Sequence, residues 1–333
     1  MVGLAATVPS GSSSSSFNPS STPTSIAASG PERRHPAGLI QLDNGWTNPH
    51  VRGVRIRLGW AEIQPKSVTE FDWSPIDSAI ANAQKNNKLI GLSVAMLGRN
   101  EPGGRNAIPQ WLTAKQYRLP PTRSGHTRSL VLPWDPDVQP ALLAFIKALC
   151  AHVDGKVDYI AMGGLGVIIE SHICPNPATI GLTMEEATAK WTSSCNAIIE
   201  AHAQNLHSTP FIFTASKPFK GPGGKETLLR VVRAAAKKYP GRFGIVDCSL
   251  NAHSTRQYLP NGLVQEFRDT NPVGLQFLTS TKGFGHHDLG GTFAQTLDAG
   301  IALGARYIEI YPVDAQDPAN AATLDAYAAK LNQ

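Results

Sequence analysis

One short stretch alternates aliphatic and basic residues without a break: Val54-Arg55-Ile56-Arg57-Leu58. Because successive side chains of a β-strand point to opposite faces, this pattern places both guanidiniums on one face. If the aliphatic face packs on helices, the two arginines point into the interior of a sheet or barrel. A buried arginine needs a carboxylate partner, since an unpaired buried charge is very costly.

Strand-sized apolar runs recur from Pro36 onward, and most are followed by a segment with apolar residues at helical spacing. This alternation is typical of parallel β/α units. Eight strands are predicted, at residues 38–42, 51–58, 88–97, 157–163, 210–215, 242–250, 273–279 and 306–311. The count of eight favours an α/β fold in which residues 36–333 form a single (β/α)₈ TIM barrel.

An open, doubly wound sheet would show the same alternation. However, neither GxGxxG nor GxxxxGK[ST] follows the first predicted strand, which disfavours a nucleotide-binding sheet. Four loops that follow strands are long and polar, at residues 98–135, 164–183, 216–225 and 280–291. Because barrel enzymes build their sites from the loops after the strands, we expect the functional site there.

The N-terminal segment differs in composition from the rest. Residues 8–29 are dominated by Ser, Thr, Pro, Gly and Ala, so residues 1–35 are predicted to be a disordered tail or linker. Tails of this kind often follow an export signal, so we expect a secreted or extracytoplasmic protein. Cys174 and Cys195 are predicted to be structural thiols, with a disulfide between them as the alternative in an oxidising compartment.

The charges are scattered, with 30 Lys+Arg against 25 Asp+Glu. Without a dense basic run, nucleic acid is not expected as a partner, and no apolar run reaches the roughly 18 residues of a membrane span. No cofactor is expected. The run His286-His287-Asp288 leaves a metal-dependent barrel as an alternative, although adjacent histidines on a loop do not easily share one ion. The oligomeric state is not determined by the sequence.

Residues 54–65, VRIRLGWAEIQP, and residues 71–77, FDWSPID, resemble a stretch of the barrel glycoside hydrolases, and the similarity continues through residues 88–94 and 108–112. The resemblance is to the cellulase- and β-galactosidase-like clan, of which the chain would be a divergent member. It implies hydrolysis of O-glycosidic bonds, with an oligosaccharide or polysaccharide as partner. It also implies that Arg55 steadies a carboxylate of the site, whereas a structural ion-pair layer of Arg55 and Arg57 is the alternative.

Two glutamates are the candidate catalytic residues. Glu170 follows the fourth predicted strand in a glycine-rich, otherwise apolar segment, a setting that suits a general acid. The resembled family carries its acid/base glutamate at the same strand. Glu309 shares one face of the last predicted strand with Tyr307 and Tyr311, so we expect it to point inward, near an arginine and open to the cleft. The alternatives are a surface-loop role for Glu170 and a purely structural ion pair for Glu309.

The seventh predicted strand lacks an acid. Residues 273–279 read VGLQFLT, with Gln276 near the position where the largest clan of barrel glycosidases carries its nucleophile. An amide is too weak a nucleophile to replace a carboxylate. Either Glu309 supplies the second carboxylate, or the chain does not run the standard double displacement. A barrel that binds carbohydrate without turnover is a separate alternative.

Aromatic and polar residues are further candidates for contact with a sugar. The predicted substrate-binding residues are Arg55 and Arg57, the aromatic residues Trp60, Trp111, Trp134 and Tyr311, and the hydrogen-bonding residues Asn251, His253 and Gln276. Trp73, which precedes a predicted helix start, is expected to pack in the core.

Overall fold

The computed structural model describes residues 35–101, 107–121, 125, 127–283 and 287–331. The predicted N-terminal tail, apart from His35, lies outside the described residues, and so does His286 of the alternative metal site.

Eight parallel strands close into a barrel, which confirms the predicted fold. The strands in chain order are β1 (Gly38–Leu42), β2 (Gly53–Gly59), β3 (Leu89–Ala95), β4 (Gly98–Glu101), β5 (Tyr117–Leu119), β6 (Thr127–Leu130), β7 (Tyr159–Ala161), β8 (Phe211–Thr214), β9 (Phe243–Leu250), β10 (Val273–Phe277) and β11 (Tyr307–Ile310). The barrel order is β1, β2, β3, β7, β8, β9, β10 and β11, and β11 pairs with β1 to close it. Consecutive barrel strands are therefore neighbours throughout.

Helices cover the outside of the barrel. They are α1 (Trp60–Ile63), α2 (Ser74–Lys85), α3 (Gln139–Val153), α4 (Met184–Asn205), α5 (Pro222–Lys238), α6 (Leu259–Phe267), α7 (Phe293–Ala302), α8 (Pro312–Ala315) and α9 (Ala321–Leu331). The longest, α4, begins at a capping box in which Thr183 Oγ1 accepts from the Glu186 N–H at 3.1 Å. Of the helices described, none has both the length and the apolar character needed to cross a membrane.

Two tyrosine rings fill the barrel interior. Tyr159 and Tyr307 lie 5.3 Å apart between ring centroids and pack with inward aliphatic side chains of other strands. Glycines make room for them, because a Cβ added at Gly91 would lie 2.2 Å from Tyr159 Cζ, and one at Gly274 would lie 2.1 Å from Tyr307 Cζ. Larger residues at these two positions would clash with the rings.

The segment predicted as a long loop at residues 98–135 contains a small antiparallel sheet in the order β4, β6, β5. These strands have three or four residues each. So short a run holds too few alternating apolar residues to produce a strand pattern in the sequence. Elsewhere, Cys174 and Cys195 are both free and buried, in agreement with the prediction that they are structural thiols.

Candidate active site

Arg55 joins two carboxylates that come from distant parts of the chain. Its Nη1 pairs with Glu309 Oε2, and its Nη2 pairs with Glu170 Oε1. Arg55 and Glu309 are buried, whereas 18% of the Glu170 side chain is exposed. Burial acts to lower the pKa of Arg55, but the two carboxylates outweigh it and hold that pKa well above its usual value. Arg55 is therefore a fixed cation at the centre of the cluster.

Glu309 is held from two sides. Tyr159 donates a hydrogen bond of 2.7 Å to Glu309 Oε1, while Arg55 pairs with Oε2. Burial raises the pKa of Glu309, and Arg55 and Tyr159 oppose that rise. The expected inward orientation and arginine partner are confirmed. The expectation that Glu309 is open to the cleft is wrong, because its neighbours occupy both oxygens and its exposed fraction is 0%.

Tyr159 was not predicted as part of the site. Its signal in the sequence is the alternation within residues 157–161, which places Tyr159 and Ala161 on the same face of a strand. The alternation in β2 gave the expected result: Ile56 and Leu58 pack against the outer core, and Arg55 and Arg57 face inward.

A second ion pair lies nearer the surface. Arg57 Nη2 donates to Asp43 Oδ2 at 2.6 Å, and its Nε donates to Oδ1 at 3.3 Å. On the other side, Arg57 Nη1 lies 3.9 Å from Glu170 Oε1. About a third of the Arg57 and Asp43 side chains is exposed, at 32% and 30%. Asp43 was also missed in the sequence, although it directly follows the first strand, where barrels place functional residues.

Tyr311 and Cys248 border the same cluster. Burial raises the pKa of Tyr311 to about 12; the charge of Arg57 opposes this rise, and that of Glu170 adds to it. Burial likewise raises the pKa of the Cys248 thiol well above its usual value. At neutral pH both groups are uncharged, so Arg55, Arg57 and the carboxylates supply the charge of the site.

The predicted aromatic platforms differ in accessibility. Trp60 is fully buried, stacks on Phe145 at 5.2 Å and donates from Nε1 to Gln64 Oε1, so it presents no face to a sugar, contrary to expectation. Its burial follows from its place at the start of α1, under the outer helices. Trp111 and Trp134 are partly exposed while packing on the core. Their contact with a sugar stays a prediction.

Trp73 stacks on Phe71 at 4.9 Å and on His152 at 4.3 Å between ring centroids, which confirms its predicted packing role.

The three residues predicted to form hydrogen bonds with a sugar also differ in accessibility. Asn251 builds a turn, since its Oδ1 accepts from the His253 N–H at 2.9 Å and its Nδ2 donates to Ser249 O. His253 is exposed. Gln276 lies beside Glu309 in the pairing of β10 with β11 and is 2% exposed, so direct contact with a sugar, as predicted, is blocked in this structure.

No cluster of three or more His, Cys, Asp or Glu side chains suited to a metal ion occurs within the described ranges.

Comparison with known proteins gives a match in fold but not in sequence. No family model matches the chain, and no curated protein matches it. The catalytic domain of a β-amylase from Paenibacillus polymyxa is similar with a TM-score of 0.56 at 9% identity, covering 88% of this chain and 98% of that one. A psychrophilic glycoside hydrolase family 10 endo-β-1,4-xylanase gives a TM-score of 0.50 at 10% identity, over 83% of this chain and 86% of the other. The chain is thus a (β/α)₈ barrel whose fold is similar to those of the β-amylase domain and the xylanase.

Proposed function

We propose that this barrel hydrolyses O-glycosidic bonds of an oligosaccharide or polysaccharide, with Glu170 as the carboxyl group that acts at the bond being broken. The observation that carries the proposal is the position of Glu170. It follows a barrel strand, is partly exposed, pairs with Arg55 and faces Arg57. Functional residues of barrel enzymes lie at this end of the strands. The names of the two similar structures, a β-amylase and a xylanase, support a carbohydrate substrate.

The buried half of the cluster supports Glu170. Arg55 is held by Glu309, and Glu309 is held by Tyr159, so the guanidinium that contacts Glu170 has little freedom to move. General acid–base catalysis requires a carboxyl group in a fixed position, and packed neighbours with satisfied hydrogen bonds provide that. In this proposal Glu309 and Tyr159 are positioning residues for Arg55 and Glu170.

The second candidate function is carbohydrate binding without turnover. It is favoured by the burial of Glu309 and by the amide of Gln276 on the seventh barrel strand, since neither offers a nucleophile to a substrate.

The experiment is an activity screen of the purified chain on 4-nitrophenyl glycosides and soluble polysaccharides, with Glu170→Gln and Glu266→Gln compared on a polysaccharide that is cleaved, because its alcohol leaving group requires a proton from the acid. Glu266 pairs with Arg233 on the surface at 2.9 Å and serves as a matched control. Removal of a general acid or base lowers the rate by roughly 10²–10⁴-fold. We expect that loss for Glu170→Gln and none for Glu266→Gln.

The two candidate functions are separated by binding. Retention on immobilised polysaccharide without cleavage by the wild-type chain favours the binding function. An equal rate for Glu170→Gln and wild type overturns the role of Glu170. Neither cleavage nor retention across the panel overturns both functions.

A further inference from the structure

We propose that Asp43 is the second substrate-facing carboxylate of this site and that it acts with Glu170 in a direct displacement by water. The inference rests on the proposed function, because it assigns a partner to Glu170 in the same reaction.

Accessibility separates Asp43 from Glu309. A carboxylate that activates water must reach the cleft, and Glu309 is closed off by Arg55 and Tyr159. Asp43 and Glu170 are both partly exposed, and both lie against the guanidinium of Arg57. Asp43 and Glu170 therefore form a pair of carboxylates that a ligand at the barrel mouth can reach.

The contacts of the two carboxylates with Arg57 set an upper limit on the distance between them. Asp43 binds the Nε and Nη2 edge of Arg57, and Glu170 faces Nη1. With about 2.3 Å between the terminal nitrogens of a guanidinium, these contacts limit the separation of the nearest carboxylate oxygens to about 9 Å. Inverting glycosidases hold their carboxylates roughly 6.5–9.5 Å apart to admit a water. The limit of about 9 Å falls within this inverting range, and the configuration of the product distinguishes it from the roughly 5–5.5 Å of a retaining pair.

The backbone at Asp43 is held in an uncommon conformation. Its φ is +54°, in the left-handed region that residues other than glycine seldom adopt. The Asp43 N–H donates to Arg55 O at 2.8 Å, which ties this turn to the strand that carries both arginines. Strained positions of this kind gather at functional sites, where the surrounding structure maintains them.

The proposed step is balanced in atoms and electrons. Asp43 accepts a proton from water while the water oxygen bonds to the anomeric carbon. The bond from that carbon to the glycosidic oxygen breaks, and its electron pair stays on the oxygen, which takes the proton of Glu170. The products are a sugar hemiacetal of inverted configuration and a free alcohol. A proton has then moved from Glu170 to Asp43 and returns through solvent.

The test compares Asp43→Asn and Asp43→Gly with wild type and with Glu266→Gln, on a 4-nitrophenyl glycoside that the wild type cleaves. Asparagine and glycine both tolerate a positive φ, so either variant keeps the turn. We expect a loss of roughly 10²–10⁴-fold in kcat for both. Added sodium azide, which attacks without a base, should restore turnover in Asp43→Gly and give a glycosyl azide in the mass spectrum. Fresh wild-type product should show inverted configuration by NMR.

The outcomes separate the two proposals. Full activity of either Asp43 variant, a folded Asp43→Gly that azide does not rescue, or a retained configuration each overturns the role of Asp43 while the glycosidase function stands. Circular dichroism and thermal unfolding establish that the variants are folded. A wild-type chain that cleaves no substrate overturns the glycosidase function and the role of Asp43 together.

Discussion

The Tyr159 hydroxyl reaches across the barrel from β7 and donates a 2.7 Å hydrogen bond to the Glu309 carboxylate on β11. These are the fourth and eighth strands of the barrel, so the bond spans its diameter. Together with the Arg55–Glu309 ion pair, it connects three strands through one buried carboxylate. The first two predictions concern this connection.

Tyr159→Phe removes only the hydroxyl and leaves Glu309 Oε1 buried without that donor. A buried polar atom that loses its partner costs about 1–3 kcal/mol. We expect the free energy of unfolding in urea to fall by that amount. The control is Tyr117→Phe, because Tyr117 lies in the small sheet and is partly exposed. An unchanged stability of Tyr159→Phe would mean that another group satisfies Glu309.

Glu309→Gln removes the charge that faces Arg55. Breaking a buried ion pair by changing one partner costs about 3–5 kcal/mol, because the remaining charge stays buried without full compensation. We expect a loss of this size in urea unfolding. Glu266→Gln breaks an exposed pair and should cost about 0–1 kcal/mol. Equal losses for the two variants would contradict the structural role of Glu309.

Asp247→Asn tests a buried acid on β9. Burial raises the pKa of Asp247 from 3.8 to about 6, against hydrogen bonds from Ser249. The folded protein therefore holds the proton more tightly than the unfolded chain, and the carboxyl destabilises the fold as pH rises from about 4 to 6. The asparagine of the variant cannot ionise, so the variant should be about 1–3 kcal/mol more stable than wild type at pH 7. In urea unfolding, the gain should vanish at pH 4. A gain that is the same at both pH values excludes ionisation of Asp247 as its cause.

His172→Phe tests the opposite pH dependence. His172 is buried against Phe213, neither ring nitrogen has a partner within the described chain, and burial lowers its pKa from 6.5 to about 3. Below pH 6.5 the unfolded chain binds this proton and the folded one does not. The contribution of His172 to stability is complete above pH 6.5 and is lost as pH falls toward 3. His172→Phe should therefore be more stable than wild type by roughly 1.4 kcal/mol for each pH unit below 6.5. Parallel stability curves for variant and wild type between pH 7 and 4 would contradict this.

Gly91→Ala and Gly274→Ala test the space around the interior tyrosines. The added Cβ would lie within 2.3 Å of a ring atom at each position, so the ring or the strand must move. We expect a loss of about 1–3 kcal/mol for each variant, as in overpacked cores. Gly223→Ala in α5 is the matched control, because its Cβ would meet a single neighbour at 4.0 Å. It should be neutral or slightly stabilising.

The sequence predicted the inward orientation of side chains correctly where the pattern of a single strand determines it. Alternation in β2 and β11 placed Arg55, Arg57 and Glu309 on inward faces, and the structure agrees. Alternation shows which face of a strand a side chain lies on, but not how far along the barrel axis the side chain lies from the carboxyl ends of the strands. The burial of Glu309 depends on Tyr159 and Arg55 from other strands, so it could not be predicted from β11.

Local context was also insufficient for the tryptophans. Trp60 and Trp111 both follow strands, yet Trp60 is fully buried and Trp111 is partly exposed. The difference arises because Phe145, on α3, lies against Trp60. That contact joins residues 85 positions apart and leaves no local signal. Asp43 was missed for another reason: its partner Arg57 was recognised, but no pattern links an acid after one strand to a base at the end of the next.

The tyrosine rings of Tyr159 and Tyr307, together with the Arg55–Glu309 pair above them, close the barrel along its axis. Because the interior of such a barrel is a packed core and not a pore, a ligand of the proposed site would enter and leave at the carboxyl ends of the strands. Under the proposed function, substrate and product use that same end of the barrel, and a long polymer lies across it rather than threading through. In that function, release of one product fragment precedes or accompanies the arrival of the next chain, so the rate of product release sets an upper bound on turnover.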